Sequence, residues 1–371
     1  MDGALFLVEP LRLVKGEKHG GLFRSPRRQP PERPQGCPAG SGSMSSDFER
    51  ITDLSNLWRC WLKTRKGKFG KNRVQRFDVD AMKYLVSIQQ RLRDDTFRFG
   101  PYRYFEVVDK KRRDVVDSPM KDRVVHRMIY DHLAPRWNQR FIHDSYGNIK
   151  GKGTLKALQC AAEFARKPCN LYALQLDISK FFYSVPHDVL LDAVLRHEGD
   201  QRIRDLLIRL VDSFYTDDRY DALFEEDSAY RSRRDKGMPL GNLTSQLFCN
   251  ILLNDFDHFV KEQIGLRFYL RYVDDILVFG DNTRTLHEIA DHLTEYLYGL
   301  GLQVHPQKRS VRPVTSGIPY LGMIIWPNHL SAGKRLRRNY HRALRLSGGS
   351  LAKDQAIQAY LGWFSHFGAG R

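Results

Sequence analysis

The sequence predicts an α+β fold, on three observations. Apolar residues recur at helical spacing over 47–95, 119–137, 154–167 and 246–264, strand-like patterns occupy 102–117 and 171–178, and two short apolar runs flank an acidic turn at 268–280. A period of 3.6 marks one buried helix face, and a period of two marks one buried strand face. With 371 residues, 42% hydrophobic and 28% charged, the chain is long enough for two or three lobes of ordinary globular composition.

Taken in order, residues 1–43 hold 6 of the 16 prolines and 7 of the 28 glycines, and RSPRRQPPERPQGCPAGSGS carries no periodicity. A disordered, basic, Pro/Gly-rich tail is expected there. A compact domain begins near Met44. Leu54, Leu57, Trp58 and Trp61, then Met82, Leu85, Val86, Ile88 and Leu92, predict two amphipathic helices between Asp47 and Asp95. Between them KTRKGKFGKNR reads equally as a phosphate contact or a solvated loop. YRYFEVVDKKRRDVVD reads as strand, basic turn, strand, and PMKDRVVHRMIYDHLAPRW as a helix with Val124, Val125, Met128, Ile129 and Leu133 inward. After the loop YGNIKGKGT another helix runs through TLKALQCAAEFARK. Gln246 to Ile264 is predicted as one helix with Leu247, Ile251, Leu252, Phe256 and Phe259 on a broad apolar face, a core element without chemistry.

The charge balance is 60 Lys+Arg against 43 Asp+Glu, a net +17, of which +14 remains once residues 1–43 are set aside. Such a field attracts a polyanion, although a solvated basic surface explains it as well. Five cysteines without CxxC spacing or a neighbouring His cluster argue against a disulfide framework and a zinc site, and fit a reducing compartment. No apolar run approaches the roughly 18 residues of a membrane span. Glu9 and Arg12 interrupt the start where a secretory leader needs an unbroken apolar core, so a cytoplasmic protein without a membrane partner is expected.

In LYALQLDI, Tyr172, Leu174, Leu176 and Ile178 share one strand face, leaving Ala173, Gln175 and Asp177 on the other. Taken alone, Asp177 reads more readily as a turn former or helix cap than as a ligand, and it needs a partner carboxylate. FYLRYVDDILVFG supplies one: two strand-like runs flank Val273, Asp274 and Asp275, with no Gly, Asn or Pro to ease the turn. Adjacent carboxylates repel, so an acidic pair between apolar strands reads as a metal site, with an ordinary surface turn as the alternative. Phosphoryl transfer by two cations about 3.5–4 Å apart needs bridging oxygens from separate strands. Asp177 together with Asp274 and Asp275 answers that need.

YVDD, with the preceding DISKFF and the intervening GMPLGNLTSQ, resembles the palm of reverse transcriptases. The likeness extends from about Leu57 through DKKRRDVVDSPMKDRVVHRM to the primer-grip-like SGIPYLGMIIWP. It implies a right-hand polymerase with fingers over 44–169, a ferredoxin-like palm of antiparallel sheet and helices over 170–326, and a short helical thumb over 327–371. It further implies RNA-directed DNA synthesis with two Mg²⁺ ions, Mn²⁺ being a possible substitute. Template RNA, an RNA/DNA hybrid and dNTP are the implied partners. LGNLTSQ is similar to the form in diversity-generating retroelements, which implies error-prone copying and a small basic accessory protein. Antiphage-defence reverse transcriptases that copy a dedicated non-coding RNA have related palms, and a non-catalytic RNA-binding remnant is the third reading.

The resemblance assigns catalysis to Asp177, Asp274, Asp275 and Lys308, the lysine protonating the leaving pyrophosphate, and metal holding to Asp177, Ile178, Asp274 and Asp275. Lys111 and Arg113 match the fingers pair that grips the triphosphate. Phe182 matches the gate against a ribose 2′-hydroxyl, with Phe181 in the core. Leu240 and Gly241 border the incoming nucleotide, and Ser245 and Gln246 the template side. Two departures stand out: Ile149 occupies a position where many relatives have Arg, and little sequence follows AYLGWFSHFG for a full thumb.

Overall fold

The structure, a computed structural model, describes residues 46–108, 112–216 and 235–346, together with 358 and 362. The tail over 1–43, Lys111 and most of the expected thumb lie outside the described residues. Where two helices are predicted between Asp47 and Asp95 there are four: α1 (Asp47–Thr52), α2 (Leu54–Arg65), α3 (Asn72–Val79) and α4 (Ala81–Arg93). The first break is Asp53, whose carboxylate accepts from the Ser55 amide at 2.9 Å and so caps a new helix. On α4, Ala81, Leu85, Ile88 and Leu92 are buried, whereas Met82 and Val86 are 50% and 45% exposed. The inward placement expected for those two is corrected, because each lies one residue, about 100°, round the helix from the buried stripe. The basic stretch is partly helical and partly paired: Lys63 meets Asp131 at 2.8 Å, Arg65 meets Asp78 at 2.6 Å, and Arg73 pairs with Asp117.

The hairpin of β1 (Arg103–Val108) and β2 (Arg112–Asp117) forms as read, with Val107 opposite Arg113. In α5 (Met120–Asn138) the five residues expected inward are all buried. Then α6 (Thr154–Ala165) leads into β3 (Tyr172–Asp177). Helices α7 (Phe181–Ser184), α8 (His187–Leu195) and α9 (Gln201–Asp212) follow, the last capped by Asp200 on the amides of Arg202 and Ile203.

The helix expected over 246–264 is instead α10 (Leu243–Leu252), α11 (Asn254–His258) and a π turn over Phe259–Gln263. The chain leaves helical geometry at Leu253 (φ −90°, ψ 7°), and beyond that point Asn254 and Asp257 are buried. Burying a carboxylate requires a partner, so the segment is aimed by its polar residues as well as its apolar face.

β4 (Tyr269–Tyr272) and β5 (Asp275–Gly280) form the acidic hairpin, and α12 (Thr283–Gly299) returns the chain to β6 (Ser310–Pro313). The four strands lie in the order β4-β5-β3-β6, antiparallel at every pairing. That is the order of a split β-α-β, ferredoxin-like sheet. Leu174, Leu176, Ile276 and Val278 join the larger core with Leu293 of α12. β3 departs from its reading on one point: its second face is also covered. Ala173, Leu277 and Phe279 join a second core with α6 and the small sheet of β7 (Ile318–Tyr320), β8 (Met323–Ile325) and β9 (Leu330–Ala332). Asp177 is consequently only 9% exposed. α13 (Lys334–Leu346) then turns Leu336 and Tyr340 toward this second core. Among the described residues Cys60, Cys160, Cys169 and Cys249 are free thiols, and no helix is long and apolar enough to cross a membrane.

Candidate active site

β3 ends and β5 begins at the same level of the sheet, which sets Asp177 directly opposite Asp275. Main-chain bonds hold this end of β3 from both sides. The Ile178 amide donates to the Asp274 carbonyl at 3.3 Å, and the His305 amide donates to the Asp177 carbonyl at 2.8 Å. Cross-strand neighbours have Cβ atoms roughly 5 Å apart, so two carboxylates here repel. Burial, then the charges of Asp274 and Asp177, push the Asp275 carboxyl up to about 7, and it shares a hydrogen bond with Asp177. Lys308 lies in a 3₁₀ turn over Pro306–Lys308, and its ammonium pairs with Asp177 Oδ2.

The turn between β4 and β5 is strained. Val273 adopts φ +59°, a left-handed conformation that costs a β-branched residue about 1–3 kcal/mol. Beneath it lies a polar network that the sequence reading missed. Arg271, with no exposed surface, forks onto Asp257 at 2.8 and 2.6 Å and donates to the Val273 carbonyl at 2.8 Å. Asn250 and Ser145 accept from the same guanidinium at 3.2 and 3.1 Å. The signal was an arginine inside an apolar strand, together with Asn250, Asn254 and Asp257 at helical spacing on a segment otherwise read as core.

The other expected residues lie on α7, in the loop before α10, on α10 and on β2. Phe182 is half-buried on α7 beside the buried Phe181, ring centroids 5.5 Å apart. The Leu240 carbonyl accepts from the Val116 amide at 3.0 Å, joining the loop before α10 to the β1–β2 hairpin. Gly241 has φ +119°, and a Cβ there would meet the Val116 carbonyl oxygen at 3.0 Å, so glycine is required at this junction by the protein itself. Gln246 is exposed on α10 and Ser245 is buried, which leaves Gln246 alone of the two able to meet a template. Arg113 is described as backbone only, and Ile149 is buried against the larger core.

A cleft of about 160 Å³ between α2, α5 and the start of α10 also escaped the sequence reading. Lys63, Lys68, Arg123, His126, Arg127 and Asn242 line it. Burial, then the charges of Arg123, Lys71 and Arg73, lower the Lys68 ammonium from its ordinary range.

Burial first, then the charges of Asp274 and Asp177, raises Asp275, and carboxylate oxygens of this kind suit Mg²⁺ or Mn²⁺ better than zinc. Ile178 could contribute only its carbonyl, its side chain being buried in the core. Among the described residues the one group of three or more His, Cys, Asp or Glu side chains whose ligand atoms lie within 4.8 Å of one another is Asp47, His132 and Glu198. There Arg136 pairs with both carboxylates and His132 lies 2.8 Å from Glu198, so the charge is already matched without a cation.

Residues 108–325 match the family model described as reverse transcriptase (RNA-dependent DNA polymerase). Among curated proteins the chain is similar to a putative COX1/OXI3 intron 2 protein of Saccharomyces cerevisiae, 24% identical over 56% of this chain and 23% of that protein. It is also similar to Protein YkfC of Escherichia coli, 27% identical over 59% of this chain and 64% of that protein. The chain thus spans less than two thirds of the length of each. A solved apo telomerase from Candida tropicalis aligns over 62% of this chain and 48% of its own, with a TM-score of 0.44 and 12% identity, too remote to add to the case. The family match covers more than half of the chain and includes both acidic strands, and on it this chain belongs to the reverse transcriptase (RNA-dependent DNA polymerase) family.

Proposed function

We propose that the chain adds deoxynucleotides to a primer 3′ end on an RNA template, with Asp177, Asp274 and Asp275 as catalytic carboxylates. The observation that carries this reading is Asp177 facing Asp275 across β3 and β5 with Asp274 at the tip, a gathering of like charge that costs stability unless a cation uses it. Divalent cations would activate the attacking hydroxyl and neutralise the departing pyrophosphate. The three carboxylates and the Ile178 carbonyl would hold them. Lys308 delivers a proton from Nζ to the leaving group, and the Phe182 ring closes the space a ribose 2′-hydroxyl would need. Lys111 and Arg113 grip the triphosphate, with Leu240, Gly241 and Gln246 bordering nucleotide and template. The basic cleft takes nucleic-acid phosphates. In this reading 44–169 are fingers, 170–326 palm and 327–371 thumb. Asp177→Asn and Asp274→Asn should each lower primer extension about 100-fold or more without unfolding the protein, and near-wild-type extension by either removes the assignment.

Within the family, Leu240 and Gln246 favour the diversity-generating retroelement, with its own template RNA and a small basic accessory protein. Leucine offers no hydrogen bond near the incoming nucleotide, and an apolar contact discriminates by only about 1–3 kcal/mol. Misincorporation is therefore expected to concentrate opposite template adenine and to fall in Leu240→Gln, read by sequencing cDNA from one defined RNA. Adenines copied as accurately as other bases by the wild type would overturn this finer reading.

A further inference from the structure

The carbonyl of Val273 sits inside the turn that carries Asp274 and Asp275, where no strand partner can reach it. Arg271 Nη1 donates to it at 2.8 Å. The remaining donors of that guanidinium end on Asp257, Asn250 and Ser145, so its position is set by three elements at once. On the other side of the turn Gly147 closes in, and a Cβ there would meet Val273 Cγ2 at 2.5 Å and the Val273 nitrogen at 2.7 Å. Asn250 ties the two sides together, because its Nδ2 donates to the Gly147 carbonyl at 2.7 Å while its Oδ1 accepts from Arg271. The loop holding Gly147 is itself pinned by Lys152, whose ammonium donates to the carbonyls of Ile142, His143 and Ser145.

A buried ion pair is a poor way to gain stability, since well-fitted apolar residues of similar volume often serve as well. This one ends on irregular backbone at the single left-handed residue of the acidic hairpin. We propose that Arg271, Asp257 and Asn250 are positioning residues: they hold Val273 in its left-handed conformation and so aim Asp274 and Asp275 at Asp177. The proposal rests on those aspartates being catalytic. Its action is on the rate of chemistry, because misplacing a reacting group lowers kcat while leaving substrate contacts in place.

The test uses the full chain with a defined RNA template and DNA primer. Arg271→Met is combined with Asp257→Leu so that no charge stays buried alone. The folded double variant should bind primer–template with unchanged Kd and take dNTP with KM within about twofold, yet lose about 100-fold in kcat. Adding Val273→Gly, which makes the left-handed turn cheap, should recover about tenfold of that loss. If the double variant does not fold, Gly147→Ala presses on the same turn with the ion pair intact and should also lower kcat at constant KM and Kd. Wild-type kcat in either folded variant overturns the proposal, as does a loss that Val273→Gly fails to relieve. Asp274→Asn run in parallel separates the two levels: if it remains active, the catalytic reading itself fails.

Discussion

Asp257 and Asp122 are both without exposed surface, and the protein treats them in opposite ways. Asp257, behind the acidic hairpin, receives a two-bond guanidinium fork and a phenol hydroxyl from Tyr269. Asp122, on α5 among the helices that precede the sheet, has the Gly100 amide at 2.6 Å on one oxygen, while its other oxygen has no protein partner. Burial outweighs that amide and the nearby Lys121, and pushes the Asp122 carboxyl up to about 6. A buried carboxyl drifts toward neutrality where only a peptide dipole meets it. The one buried guanidinium–carboxylate pair among the described residues stands under the turn that carries Asp274 and Asp275.

Three measurements would break or sharpen this contrast, the largest effect first. Asp257→Leu leaves Arg271 buried without its carboxylate and should cost about 3–5 kcal/mol in urea unfolding. A loss under about 1 kcal/mol would mean that water or another group already satisfies the guanidinium.

Asp122→Asn should behave in the opposite sense. A folded-state pKa of about 6, above the unfolded 3.8, contributes stability fully present below about pH 3.8 and lost as pH rises through about 6. Wild type should therefore lose about 2 kcal/mol relative to the variant between about pH 4 and pH 8. Parallel pH profiles for the two proteins would show that Asp122 is charged throughout.

The smallest stability effect is expected at the half-exposed pair. Lys308, with a side chain 49% exposed, should lose no more than about 1 kcal/mol when changed to Met. Its primer extension should nevertheless fall, because the pair sits on a carboxylate of the proposed reaction. Unchanged extension with a large Tm loss would make Lys308 a structural residue.

Much of this was legible in the sequence. Local periodicity marked the β1–β2 hairpin, α5, α6 and the acidic hairpin, since each repeats its pattern over enough residues for one period to dominate. The helix over 246–264 was misread because its apolar face is genuine. The helix breaks at Leu253, and the buried Asp257 beyond that break is met by Arg271, which is fourteen positions further along the chain. The extra helix start at Asp53 was hidden for a related reason, since an Asp within an amphipathic run reads as its polar face until its cap on the Ser55 amide is seen. Nothing local distinguished Lys63, Lys68, Arg123 and Arg127 from other basic residues, because the cleft they line forms only when α2, α5 and α10 meet.

By itself the sequence determined the α+β class, the acidic strand tips and the family, all properties of short stretches whose chemistry is carried by residue type and spacing. The tertiary structure alone decided that Asp177 stands opposite Asp275, that Lys308 reaches that pair, and that a buried arginine holds the turn between β4 and β5. Those are relations between segments from 2 to 131 residues apart. Strand register and burial set them, and both arise only when the two cores close on the sheet.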